Sequence, residues 1–149
     1  MQPQTKTHPK NVSRVKAYLS IPQILPPAFQ TVLLDTIVFD TLGEFNIATN
    51  RFTASRSGYY LAIFHAVLNN PVAGIAQTSR IIYNTLTVEG TNRVLSYGGV
   101  ALNEMVDMAI GHLDNGQTIH AEFNGTVLPN VTTLSAGIAS TYLTIHRLS

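Results

Sequence analysis

The apolar positions of the chain alternate far more often than they follow a helical period. Residues 13–20 set Val15, Ala17 and Leu19 against Arg14, Lys16 and Tyr18, the period of two that a half-buried strand shows. Pro22, Pro26 and Pro27 predict a loop next, because proline cannot donate to a ladder. Residues 29–40, rich in Val, Leu, Ile and Thr, predict a strand. Gly43 marks a turn, and residues 44–48 and 51–54 predict short strands around Thr49–Asn50. The strongest segment is 59–68, opened by Ser57–Gly58 and closed by Asn69–Asn70–Pro71. Its two faces are both apolar: Tyr60, Ala62 and Phe64 on one, Tyr59, Leu61, Ile63 and His65 on the other. That pattern predicts a central strand covered on both sides. Further strands are expected over 79–88, 93–97, 117–123 and 138–148, with a turn at Glu89–Gly90, a bulge at Gly98–Gly99 and a hairpin at Asp114–Asn115–Gly116. Residues 103–112 fit two patterns. Met105, Met108, Ala109 and His112 have helical spacing, whereas the short length and Gly111 suit a strand.

Eight to ten short strands at this spacing predict an all-β sandwich or jelly roll, in one domain over residues 14–149. Residues 1–13, with two prolines and no apolar periodicity, predict an extended arm. The chain has 149 residues, ample for an unstapled core. A hydrophobic fraction of 45% excludes whole-chain disorder, and the lack of cysteine excludes a disulfide scaffold or a Cys-based zinc or redox site. No apolar run approaches the roughly 20 residues of a spanning helix, so membrane insertion is not expected. The polar first ten residues do not form a signal peptide.

Charge divides the chain more sharply than composition does. Only 11% of residues are charged, against about 25% in an ordinary domain. Residues 1–16 hold Lys6, Lys10, Arg14 and Lys16 and no acid; the rest holds five arginines, eight acids and no lysine. The four cations are candidate anchors to an acidic surface or a multimeric scaffold. Nucleic acid is the less favoured target, because no aromatic is interleaved with them and the body is net negative. A lysine-free body lacks the usual guard of exposed sheet edges, which implies that neighbours cover some of them.

The run Phe39-Asp40-x4-Phe45-Asn46-x3-Asn50-Arg51-Phe52-Thr53-Ala54-x3-Gly58-Tyr59-Tyr60 resembles the signature of the C1q-like globular head, a relative of the tumour-necrosis-factor jelly roll. Leu113-x2-Gly116-x2-Ile119 and Ser140-Thr141-Tyr142-Leu143-x-Ile145 resemble two later pieces of that pattern. Ser55 stands where the family has Pro, Gln117 where it has Asp, and the collagen-like stalk of many members is missing. The resemblance implies a ten-stranded antiparallel jelly roll, a strand over 103–112, and a compact homotrimer. It also implies that the aromatic-bearing face of the central and last strands supports the subunit contact, carried here to Tyr60, Phe64 and Tyr142, with Phe123 beside them. Interfaces of about 800 Å² per partner deplete charge at their centre, in keeping with the low charged fraction.

Catalytic and metal chemistry find little footing. The histidines His8, His65, His112, His120 and His146 show no HExxH or His-x-His spacing. His120 and Glu122 share a strand face, but one pair is not a metal site; a ring of histidines around a threefold axis would act as a pH switch. No nucleophile elbow, phosphate loop or dinucleotide fingerprint is present. No enzyme activity, cofactor or metal is assigned. The expected function is a non-enzymatic trimeric module at a virion or cell surface: a phage fibre knob or head-decoration protein, anchored by its arm and meeting host glycan or protein. The alternatives are a secreted complement- or cytokine-like ligand and a purely structural capsid or spore-coat trimer.

Overall fold

The computed structural model describes residues 12–69, 76–87, 93–95, 104–125 and 132–149. The expected features at Lys6, His8, Lys10, Asn70–Pro71, Glu89–Gly90 and Gly98–Gly99 lie outside them. The described residues hold strands and turns and no helix, and every pairing between strands is antiparallel.

Two seven-stranded sheets face each other. The first carries β1 (Arg14–Tyr18), β2 (Gln23–Leu25), β4 (Thr36–Asp40), β7 (Gly58–Asn69), β11 (Glu104–Leu113), β13 (Thr132–Leu134) and β14 (Tyr142–Arg147). The second carries β3 (Phe29–Thr31), β5 (Phe45–Asn46), β6 (Arg51–Thr53), β8 (Ala76–Tyr83), β9 (Leu86–Thr87), β10 (Arg93–Leu95) and β12 (Thr118–Asn124). β7 lies at the centre of the first sheet, between β11 and β14, with β1 and β4 beyond β14. In the second, β12 is the hub and pairs with β3, β6 and β8.

Fourteen segments replace the eight to ten expected because several strands are only two or three residues long. The stretch expected as one strand over 29–40 is two, since the chain changes sheets within it. β3 pairs with β12, Val32 still donates to Ala121 O, and β4 then joins β1. Of the segment 103–112, the described part is strand, within Glu104–Leu113, with Met105, Asp107, Ala109 and Leu113 inward. The tight turn at Asp114–Gly116 is present, with Gly116 at φ 88° and Gln117 N–H donating to Asp114 O at 3.0 Å. It is not a hairpin, however. β11 and β12 lie in different sheets, and the turn is held instead by Gly116 N–H on Ala54 O. The last strand begins at Tyr142 rather than 138, because Gly137, at φ 133°, turns the chain and accepts from Ser140 N–H.

The core lies between the sheets. Val15, Ala17, Tyr60, Ala62, Phe64, Ala66, Met105, Leu113, Leu143 and Ile145 meet Phe45, Phe52, Ile81, Ile119 and Phe123 there, all buried. Tyr83 of β8 crosses between the layers, and its hydroxyl donates to Tyr60 O at 2.9 Å and Ala109 O at 3.0 Å. The ring lies against Gly111, where a Cβ would come within 2.8 Å of it. Burial pushes the Tyr83 hydroxyl far above the ordinary phenol range, so it remains a donor. Tyr83→Phe is therefore expected to lower unfolding free energy by about 1 kcal/mol, read from urea denaturation. Gly111→Val, which must displace the ring, is expected to cost more.

Candidate functional site: the outward face of the first sheet

The strand register places the side chains of this face in rows. Tyr18, Tyr142, His65 and Val106 form one row across β1, β14, β7 and β11. Phe39, Lys16, Thr144, Ile63 and Met108 form the next, beginning on β4. Arg14, His146, Leu61 and Ile110 form a third, and Tyr59 and His112 continue it towards one end. Tyr59, Met108 and Ile110 are each more than half exposed, at 53%, 59% and 58%. The apolar members gather on β7 and β11, as Tyr59, Leu61, Ile63, Val106, Met108 and Ile110, with Tyr142 beside them, while β1 and β14 add Arg14, Lys16, Thr144 and His146. Contiguous exposed apolar surface marks interaction sites on soluble proteins.

The face opposes the expected assignment of subunit contacts. Tyr60, Phe64 and Phe123 are fully enclosed by their own chain, so they offer a partner no surface. Alternation along β7 is correct, but its aromatic-rich side is the core and its aliphatic side is open. Among the four expected contact residues, Tyr142 alone stands on the open side. Sequence reasoning missed Tyr59, Ile63, Met108 and Ile110 as candidate contact residues. For β7 the signal was its second apolar face; for β11 it was the strand period Val106, Met108, Ile110.

Two of the four candidate anchoring cations also belong to this face. Arg14 is exposed on β1, and the Lys16 Nζ lies 4.2 Å from the centre of the Tyr142 ring, a cation–π contact. The same ring stacks on His65, with centroids 5.1 Å apart. His65 Nδ1 donates to Ser140 O, which leaves Nε2 facing the Glu104 carboxylate at 4.0 Å.

Elsewhere the polar groups serve the fold. Buried Glu44 accepts hydrogen bonds from the Ser13 hydroxyl and from the Ser55 hydroxyl and N–H. That explains Ser55 in place of the expected Pro, which has no N–H to give. Gln117, in place of Asp, closes its turn by accepting Asp114 N–H at 2.8 Å. An open cleft of about 600 Å³ is lined by Ile21, Ile24, Leu33 and Ile47, but its Gln23 and Asp35 are committed to local backbone and to Ser20. On the second sheet Glu122 joins Arg80, at 2.5 Å, to buried His120, at 3.1 Å. Among the described residues no three His, Asp or Glu side chains converge as metal ligands, and no helix is long and apolar enough to cross a membrane.

Comparison with known proteins places this architecture. No family model matches the chain, and no curated protein matches its sequence. Solved structures do match. The globular domain of the zebrafish complement 1qA protein superimposes with a TM-score of 0.63 at 13% identity, over 93% of this chain and 98% of that one. A crystal structure of murine APRIL gives 0.67 at 14%, over 93% and 100%. The fold is the C1q/TNF-like jelly roll. The insect Eiger TNF from S. frugiperda, at 8% identity and a TM-score of 0.58 over 93% of each chain, has it too. Within this jelly roll, the face described above belongs to the sheet that holds β1 and β14.

The cluster on the second sheet yields a pH prediction. Burial raises the Glu122 carboxyl, but hydrogen bonds from Arg80 and His120 outweigh it and hold the group below the usual carboxylate range. A carboxylate depressed on folding stabilises above its unfolded pKa, and the contribution disappears as pH falls through the folded one. Glu122→Gln is therefore expected to cost about 1–2 kcal/mol at pH 7. Its stability should also fall less steeply than the parent's between pH 5 and 3, measured by urea unfolding.

Proposed function

We propose that the chain is a non-enzymatic recognition or display module that works as a homotrimer, with the outward face of the first sheet turned towards its own copies. The observation that carries this reading is the apolar surface of two adjacent strands, Tyr59, Leu61 and Ile63 on β7 and Val106, Met108 and Ile110 on β11, with Tyr142 of β14 beside it. A monomer would leave Tyr59, Ile63, Met108 and Ile110 in water. Covering them removes apolar area at about 25 cal/mol per Å². The C1q/TNF-like fold supports a ligand-like module in coarse terms.

The setting proposed is a virion or cell surface. Lys6 and Lys10, in the basic N-terminal segment, are the anchoring cations towards a larger particle, and the Thr- and Asn-rich exterior meets host glycan or protein through hydroxyl and amide groups. A soluble ligand of the complement or cytokine type is the second reading, favoured by likeness to a complement globular domain and a TNF. Deletion of residues 1–11 distinguishes them. A display protein loses incorporation into its particle while keeping its mass in solution; a soluble ligand keeps its receptor binding.

Self-association is tested by sedimentation. The parent is expected at three times 16.2 kDa. Met108→Asp with Ile110→Asp, both at positions exposed in the single chain, is expected to sediment as a folded monomer with unchanged far-UV circular dichroism. A parent that is monomeric at micromolar concentration contradicts the proposal.

A further inference from the structure

The proposed self-association face carries two imidazoles in its interior: His65 on β7 and His146 on β14 occupy adjacent central strands. His65 lies in register with Tyr142 and Val106, and His146 with Arg14 and Leu61. Both rings are partly covered in the single chain, so a second copy laid on the face encloses them further.

The charges around them are lopsided. Facing His65 are Glu104 from β11, at 4.0 Å and well exposed, and Lys16 from β1, which shares the Tyr142 ring. Beside His146 stands Arg14 from β1, while the β7 residue opposite it is Leu61. Arg147, the next residue along, sends its guanidinium to Ser57 O. Asp40 of β4 is spent on the N–H groups of Leu42 and Phe45. His112, nearer the end of the face, lies 3.9 Å from Asp114 and edge-on to Tyr59. Lys16 and Arg14 thus supply fixed positive charge, and His146 has no acid next to it.

We propose that protonation of His146 switches off self-association through this face. This rests on the self-association reading above and adds its regulation. A neutral imidazole is compatible with an apolar contact; an imidazolium must be desolvated there, against Lys16, Arg14 and the same groups of the other copies. Burial and the neighbouring Arg14 already hold the His146 ring below the ordinary histidine value. The assembled state therefore binds fewer protons than the separated one. Association is complete above about pH 6.5 and weakens as pH falls below it.

The test is sedimentation velocity of the full chain at pH 7.5 and 5.0 and constant ionic strength, for the parent and for His146→Gln. The parent is expected to assemble at pH 7.5 and to lose at least about tenfold in association constant at pH 5.0, whereas the variant changes by less than about threefold. Near-UV circular dichroism at pH 5.0 reports that the separated chains remain folded. Equal assembly of the parent at both pH values overturns the switch, as does a parallel loss in the variant, and either result leaves self-association standing. A parent monomeric at pH 7.5 instead removes self-association itself, and the switch with it.

Discussion

The apolarity of β7 on both faces constrains everything around it. Tyr60, Ala62, Phe64, Ala66 and Leu68 are buried between the sheets, while Tyr59, Leu61, Ile63 and Val67 remain on the outside of the same strand. A strand with a period of two cannot hide both sets in one sandwich. Its own core takes one set, and only something laid on the sheet takes the other. The neighbours extend the problem, because β11 presents Val106, Met108 and Ile110 and β14 presents Tyr142 on that outer side. Enclosure by copies of the same chain satisfies this geometry without any further partner.

The same constraint accounts for where polarity is placed. Cations on the outer face sit on β1, two strands away from β7, and one of them lies against an aromatic ring rather than an acid. The ion-paired cluster of Arg80, Glu122 and His120 is kept to the opposite sheet, away from the apolar rows. Buried Glu44 ties Ser13, just before β1, to Ser55, just after β6, and so fixes the edge at which β1 enters the sheet. His146 stands in the middle of the face, on β14, opposite Leu61 of β7 and beside Arg14 of β1.

Much of this was legible in the sequence. Alternation through Val15, Ala17 and Leu19 located β1, and the double-sided pattern at 59–68 located the central strand. The Phe52-Thr53-Ala54 and Gly58-x-Tyr60 resemblance pointed to the C1q/TNF-like jelly roll that superposition bears out. What escaped was the assignment of faces. Periodicity sorts side chains into two sets without stating which set meets the second sheet, and the large aromatics Tyr60 and Phe64 fit either role. Burial of Phe52 and Phe123 opposite them decides it. Long-range crossings escaped for a related reason. The Asp114–Asn115–Gly116 turn has hairpin chemistry, yet it bridges two sheets, because pairing partners are set by packing between layers and not by the turn.

Methionine oxidation tests the covered face most directly. Met105 and Met108 lie three residues apart on β11, one inward and 2% exposed, the other outward and 59% exposed in the single chain. Under mild peroxide at pH 7.5, with modification followed by mass spectrometry, an enclosed thioether reacts slowly and an open one quickly. The account predicts that both react slowly in the assembled protein, and that dilution to monomer accelerates Met108 while Met105 remains protected. Rapid oxidation of Met108 under assembled conditions would show the face open to solvent and contradict the account.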